Sequence, residues 1–199
     1  MNGVNVKQRS LLGYKESIVM ELIFATQNQN KAKEIQKLLP SSIQVKTLAE
    51  IGCLEDIPET ASTLEGNAKQ KSTYVVEKFN VNCFADDTGL EIETLNGEPG
   101  VYSARYAGEQ KSSDDNMDLV LGKLEGKSDR RAQFRTVISL VINGEEKQFE
   151  GIAKGDITLS KSGKAGFGYD PIFRPTGYEQ TFSEMSMEAV SYTHLRAHE

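Results

Sequence analysis

The first sustained apolar stretch of the chain is Leu22-Ile23-Phe24-Ala25, a run with the length and composition of a buried strand. After Thr26-Gln27-Asn28-Gln29-Asn30 the spacing turns helical: Ala32, Ile35, Leu38 and Leu39 fall on one face, and Lys31, Lys33, Glu34 and Lys37 largely on the other. Pro40 stops that helix. A second strand is predicted over Ile43–Thr47, and the polar loop Glu55-Asp56-Ile57-Pro58-Glu59-Thr60 leads into a helix over 63–79. Cys83-Phe84-Ala85 reads as a short apolar strand ending abruptly in Asp86-Asp87-Thr88-Gly89. Residues 90–94 read as extended, Asn96-Gly97 as a turn and 117–124 as helical. Two β runs, over 132–142 and 147–153, flank Asn143-Gly144, a strong hairpin signal. Strands alternate with helices early and pair as hairpins later, which predicts an α/β fold on a mixed sheet.

Residues 1–19 look separate from this pattern, because Met20 directly precedes the first strand; they read as an upstream extension. They carry Lys7, Arg9 and Lys15 without a sustained apolar run, unlike a secretory leader. No window approaches the roughly 18 apolar residues of a membrane span. A chain of 199 residues suits one large domain or two lobes sharing a sheet. A net charge of −6 without blocks of like charge argues against a dedicated DNA or RNA binder. It leaves room for a nucleotide, whose phosphates a few local cations and a metal can meet. Cys53 and Cys83 form no metal-like cluster and read as reduced core thiols of a cytoplasmic protein. The two histidines, His194 and His198, both stand at the far C-terminus, away from any triad or zinc set.

The most informative polar stretch is Asp86-Asp87-Thr88-Gly89. Two adjacent carboxylates at the end of an apolar strand are costly unless something positive compensates them, and a hard cation such as Mg2+ does so. The same residues are equally an ordinary strand-capping turn, and Gly89 permits a tight turn or a close backbone approach. Glu59 is a surface glutamate unless the fold brings it beside Asp87. The helix opening at Asn28–Lys31 offers free N–H groups and a cation to a phosphate, although no Walker loop occurs. Lys69 and Lys71 are either a solvated helix face or phosphate contacts. Ser162–Pro171 is rich in glycine and holds Phe167 and Tyr169, which can stack on a base, and Asp170, which can accept a hydrogen bond from one; such a loop is otherwise structural.

Together the segments Ala25–Lys31, Glu59-Thr60, Gly66-Asn67-Ala68-Lys69-Gln70-Lys71, 85–90, 99–108 and 166–173 resemble, in order, the inosine/xanthosine triphosphate pyrophosphatase family. The resemblance implies an elongated mixed β-sheet with flanking helices, two lobes and a central active-site cleft, in a homodimer. It implies hydrolysis of ITP, dITP and XTP to the monophosphate and pyrophosphate with Mg2+, acting on a small molecule rather than on nucleic acid or a membrane. By position, Thr26, Gln27, Asn28, Gln29, Asn30 and Lys31 would bind triphosphate and Lys71 phosphate. Glu59 and Asp87 would hold magnesium, with Asp87 also the general base. Thr88 would contact substrate, and Phe167, Gly168, Tyr169 and Asp170 would hold the base. The catalytic unit is then 20–188. Residues 189–199 depart from the family, with Val190 where a Lys is expected and no His-Arg pair, and read as an aberrant tail. Alternative readings are a nucleotide-binding module without turnover and a related enzyme acting on pyrimidine triphosphates.

Overall fold

The computed structural model describes residues 19–27 and 29–186; the upstream extension, Asn28 and the tail with its histidines lie outside the described residues. The elements are β1 (Met20–Phe24), α1 (Gln29–Leu38), β2 (Ile43–Thr47), α2 (Leu64–Phe79), β3 (Cys83–Ile92), α3 (Ser113–Lys123), β4 (Arg131–Ile142), β5 (Glu145–Ile157) and β6 (Phe173–Pro175). They form one mixed sheet in the order β2-β1-β3-β4-β5-β6. β1 runs parallel to β2 and β3, and the remaining pairs are antiparallel.

The period-two alternation of β1 and β3 divides the core between two helices. Leu22, Phe24 and Phe84 face Ala32 of α1, while Ile23, Ala25, Cys83 and Ala85 face Val75 of α2. Phe24 and Phe84 stack at 4.3 Å between ring centroids across the β1–β3 pair. At the opposite end, Leu90, Ile92, Phe134 and Ala153 pack against Met117 and Val120 of α3 and against Phe173 and Phe182. These two packed ends are the lobes. On the face of the sheet toward α1, the exposed Thr88 meets Thr136 Oγ1 at 2.9 Å.

Four sequence expectations shift. β3 does not stop at Ala85: it runs unbroken to Ile92, with Asp86 opposite Ile138 and Asp87 opposite Val137, because β4 supplies ladder partners along its whole length. A 3-10 turn over Glu93–Leu95 replaces the end of the extended segment. β5 begins at Glu145, directly after the Asn143-Gly144 turn, where both residues have positive φ. Its first four residues, Glu145–Gln148, carry no apolar side chain. On α1, Leu38 is 58% exposed, so the buried stripe is narrower than its spacing suggested. Both cysteines are unpaired and buried. No helix among the described residues is long and apolar enough to cross a membrane.

Candidate active site

β1 pairs with β3 only at Ile23–Cys83 and Phe24–Phe84, after which the two chains part. The next residues of β3, Asp86 and Asp87, therefore emerge at the carboxyl end of β1, where crevices form in open α/β sheets. Strand alternation sends them to opposite faces. Asp86 pairs with Lys31, in the first turn of α1. Asp87 turns to α2, where Asn67 Nδ2 donates to its Oδ2 at 3.0 Å and Lys71 Nζ stands 3.5 Å from its Oδ1. The adjacent carboxylates thus make their direct ion pairs with different lysines. Gly89 answers the open question of its role. A Cβ there would lie 2.5 Å from the Gly100 carbonyl oxygen, so it serves a close backbone approach and not a turn.

The loop before α2 is stitched to the helix residue by residue. Thr63 caps α2 by accepting from Gly66 N at 3.0 Å. Lys71 Nζ donates to Glu59 at 2.5 Å, Gln70 Oε1 accepts from Thr60 N at 2.9 Å, and Asn67 Oδ1 accepts from Ala61 N at 2.9 Å. Gly66 completes the fit, since a Cβ there would come within 2.6 Å of the Ala61 Cβ. Glu59, 28 residues before Asp87 in sequence, is thereby brought to the same ammonium as Asp87, and the two short distances to Lys71 Nζ limit how far apart the carboxylates can stand. Lys69 points away and pairs with Glu146 at 2.8 Å.

The charges at this junction are unbalanced. Burial pushes the Asp87 carboxyl up; Lys71 and Asn67 pull it down, Glu59 pushes it further up, and the net is upward. Burial pulls the Lys71 ammonium down, but Asp87, Glu59 and Asp86 together outweigh it and hold it above its ordinary value. Burial is the largest influence on both groups: it prevails at Asp87, whereas at Lys71 the three nearby carboxylates outweigh it.

Other candidates from the sequence fall around this junction. Gln27 Nε2 donates to Asp56 Oδ1 at 3.0 Å, tying the loop after β1 to the loop before α2. Thr26 precedes it, with its N donating to Phe24 O at 2.7 Å. Gln29 and Asn30 open α1, and their side chains lie outside the described set. In the Gly-rich loop, Tyr169 is buried in the α3-side core, and its hydroxyl donates to Ser103 O at 2.8 Å. Asp170 Oδ2 accepts from Phe167 N at 2.8 Å, and burial pushes its carboxyl up against that bond. Gly168 has positive φ, and Phe167, 81% exposed, is the ring that this loop presents to solvent. A hollow of about 300 Å3 beside it is lined by Ser113, Met117, Lys164, Phe167 and Pro171. A concavity of about 510 Å3 lies elsewhere, over Glu91, Arg131, Gln133, Lys154 and Asp156. Its Arg131 is paired to Glu93 and Asp129 and its lining holds none of the candidates from the sequence, which leaves the carboxylate junction as the better-founded site.

Sequence reasoning did not single out Asn67 or Gln70. Both stand in the polar run Gly66-Asn67-Ala68-Lys69-Gln70-Lys71, and only the fold shows that Asn67 is buried. Among the described residues no group of three or more His, Cys, Asp or Glu side chains converges as a ready-made metal cage. Two carboxylates beside an open crevice suit a hard cation that keeps waters and takes phosphate oxygens, as magnesium does, better than they suit zinc or calcium.

Comparison with known proteins agrees with this geometry. The model of the Ham1 family matches residues 22–198. A dITP/XTP pyrophosphatase of Flavobacterium psychrophilum is 59% identical over 169 residues, covering 85% of this chain and 89% of that protein. The dITP/XTP pyrophosphatase of Bacillus subtilis is 46% identical over 175 residues, covering 86% and 88%. The solved Staphylococcus aureus Ham1 protein superposes with a TM-score of 0.82 at 42% identity, covering 89% of this chain and 93% of that one.

Proposed function

The chain belongs to the Ham1 family, and we propose that it hydrolyses the non-canonical purine nucleoside triphosphates dITP, ITP and XTP to the monophosphate and pyrophosphate. The observation that carries this reading is the meeting of Glu59 and Asp87 at Lys71, with the neighbouring Asp86 paired to Lys31 in the opening turn of α1. Three carboxylates and two lysines leave a net negative crevice, which would repel a triphosphate on its own. A divalent cation resolves that conflict, Mg2+ in our reading, with Glu59 and Asp87 as its protein ligands. When bound, it would neutralise phosphate charge and hold an attacking water.

The chain's own groups divide the remaining work. The N–H groups of the first turn of α1, with Thr26, Gln27, Asn28, Gln29, Asn30 and Lys31, bind the polyphosphate. Lys71 contacts phosphate, and Thr88 contacts substrate. Asp87 accepts a proton as water attacks the α-phosphorus; the bond from that phosphorus to the bridging oxygen breaks, and pyrophosphate leaves. Phe167 stacks on the base, with Gly168, Tyr169 and Asp170 shaping the loop behind it. The protein acts in the cytoplasm as a homodimer on small molecules.

The test is product analysis. With Mg2+, dITP, ITP and XTP should each yield one monophosphate per pyrophosphate, at rates well above those for dUTP and the canonical purine triphosphates. Release of orthophosphate and a diphosphate would reject the reading. Tight ITP binding without turnover would point instead to a binding module, and preferential use of dUTP to a pyrimidine enzyme.

A further inference from the structure

Asn67 occupies a place that helix propensity alone does not favour. It sits one turn into α2, where its backbone N donates to Thr63 O at 3.0 Å, and its side chain is buried at 2% exposure. A buried amide must find partners for both ends, and here each end meets a different part of the site. Ala61 N can only donate, so the group facing it is Oδ1, at 2.9 Å. The amide orientation is thereby fixed, and Nδ2 is the group that meets Asp87 Oδ2, at 3.0 Å.

From this geometry we infer that Asn67 is a positioning residue that sets the spacing and orientation of Glu59 and Asp87 together. Its Nδ2 ties up one oxygen of Asp87 and turns the other, Oδ1, toward Lys71. Its Oδ1 anchors the loop at Ala61, two residues after Glu59, and so fixes the reach of that carboxylate. Gln70 and Lys71 hold Thr60 and Glu59 from the same helix, but Asn67 alone among the three spans from the loop to β3 through its side-chain amide. Lys71 bridges the two carboxylates by charge, without the directional constraint of a planar amide. The inference rests on Glu59 and Asp87 forming the catalytic pair.

The test compares the unaltered protein, Asn67→Ala, Asn67→Asp and Asp87→Asn. Metal-free amide exchange is followed by NMR, and dITP hydrolysis is followed across a magnesium titration. Asn67→Ala should speed exchange at the Ala61 amide, whereas Asn67→Asp, which keeps an acceptor there, should not. Both should lower kcat by about 100-fold, the scale of a misplacement near 1 Å. Both should also raise the magnesium concentration needed for half-maximal turnover, while KM for dITP at saturating magnesium changes by less than about threefold. A folded Asn67→Ala with normal kcat and normal magnesium dependence overturns the proposal. If that variant does not fold, a normal Asn67→Asp overturns it equally. Should Asp87→Asn remain active, the catalytic pair itself is wrong and the inference falls with it; a dead Asp87→Asn beside a normal Asn67→Ala removes the role of Asn67 alone.

Discussion

Replacing Lys71 by methionine removes the charge that Asp87 and Glu59 share while keeping most of the buried stem. Lys71 is only 10% exposed in its side chain and Asp87 only 17%, whereas Glu59, at 42%, can fall back on water. Lys31 serves Asp86 on the other face of the sheet. Deprived of Lys71, the folded chain would sooner protonate Asp87 than bury it bare. Each pH unit between the solution pH and the ordinary aspartate value near 3.9 costs about 1.4 kcal/mol, so the ceiling on lost stability is about 4 kcal/mol at pH 7 and about 1.5 kcal/mol at pH 5. The sign follows from linkage. The carboxyl would have a folded pKa above its unfolded one, so the folded variant binds more protons, and its stability falls as pH rises through that interval. For a chain of this size each kcal/mol moves Tm by roughly 2–4 °C, giving deficits of up to about 8–16 °C at pH 7 and about 3–6 °C at pH 5. Thermal denaturation of both proteins in EDTA at pH 5, 6 and 7 reads this out. A deficit that is constant across pH, or larger at pH 5, would refute the view that Asp87 depends on Lys71 for its charge.

Two further substitutions probe the frame and the base site. Gly89→Ala places a methyl 2.5 Å from the Gly100 carbonyl oxygen, between backbone segments with little room to yield. It should cost about 1–3 kcal/mol, a Tm loss of about 2–12 °C, and an unchanged Tm would show that the close approach is not tight. Phe167→Ala removes a ring that is 81% exposed, so Tm should hold. KM for dITP should rise by roughly 5- to 150-fold, the equivalent of about 1–3 kcal/mol of stacking, and an unchanged KM would take Phe167 out of the base site.

Much of this architecture was readable where local chemistry is decisive. Asn143-Gly144 can adopt the two positive φ values of a tight hairpin, and the structure uses both. The amphipathic segment ending at Phe79 is α2, with Thr63 as its cap. The sheet face on which a residue falls was harder to see. Asp86 and Asp87 looked like a turn because two polar residues ended an apolar run, and only the long-range pairing with β4 keeps the strand going. Alternation within a strand then dictates that neighbours diverge, so Asp86 meets Lys31 while Asp87 faces α2. The partner of Asp87 came instead from Glu59, through a loop whose attachment to α2 depends on Asn67 and Gln70, side chains that resemble any surface amide until their burial is known. Tyr169 shows the converse: its aromatic ring in a glycine-rich loop looked like a ligand platform, and the structure spends it in the core, bonded to Ser103 O. The three-residue β6 is too short to leave any periodic trace.

In the proposed function, Glu59 and Asp87 together hold a divalent cation that engages the polyphosphate. Mn2+ binding, measured by electron paramagnetic resonance in the presence of a non-hydrolysable ITP analogue, tests it most directly. The unaltered protein should bind one ion per chain, and Glu59→Gln and Asp87→Asn, each folded, should both weaken that binding severely. Retention of full Mn2+ affinity by either variant would contradict the claim.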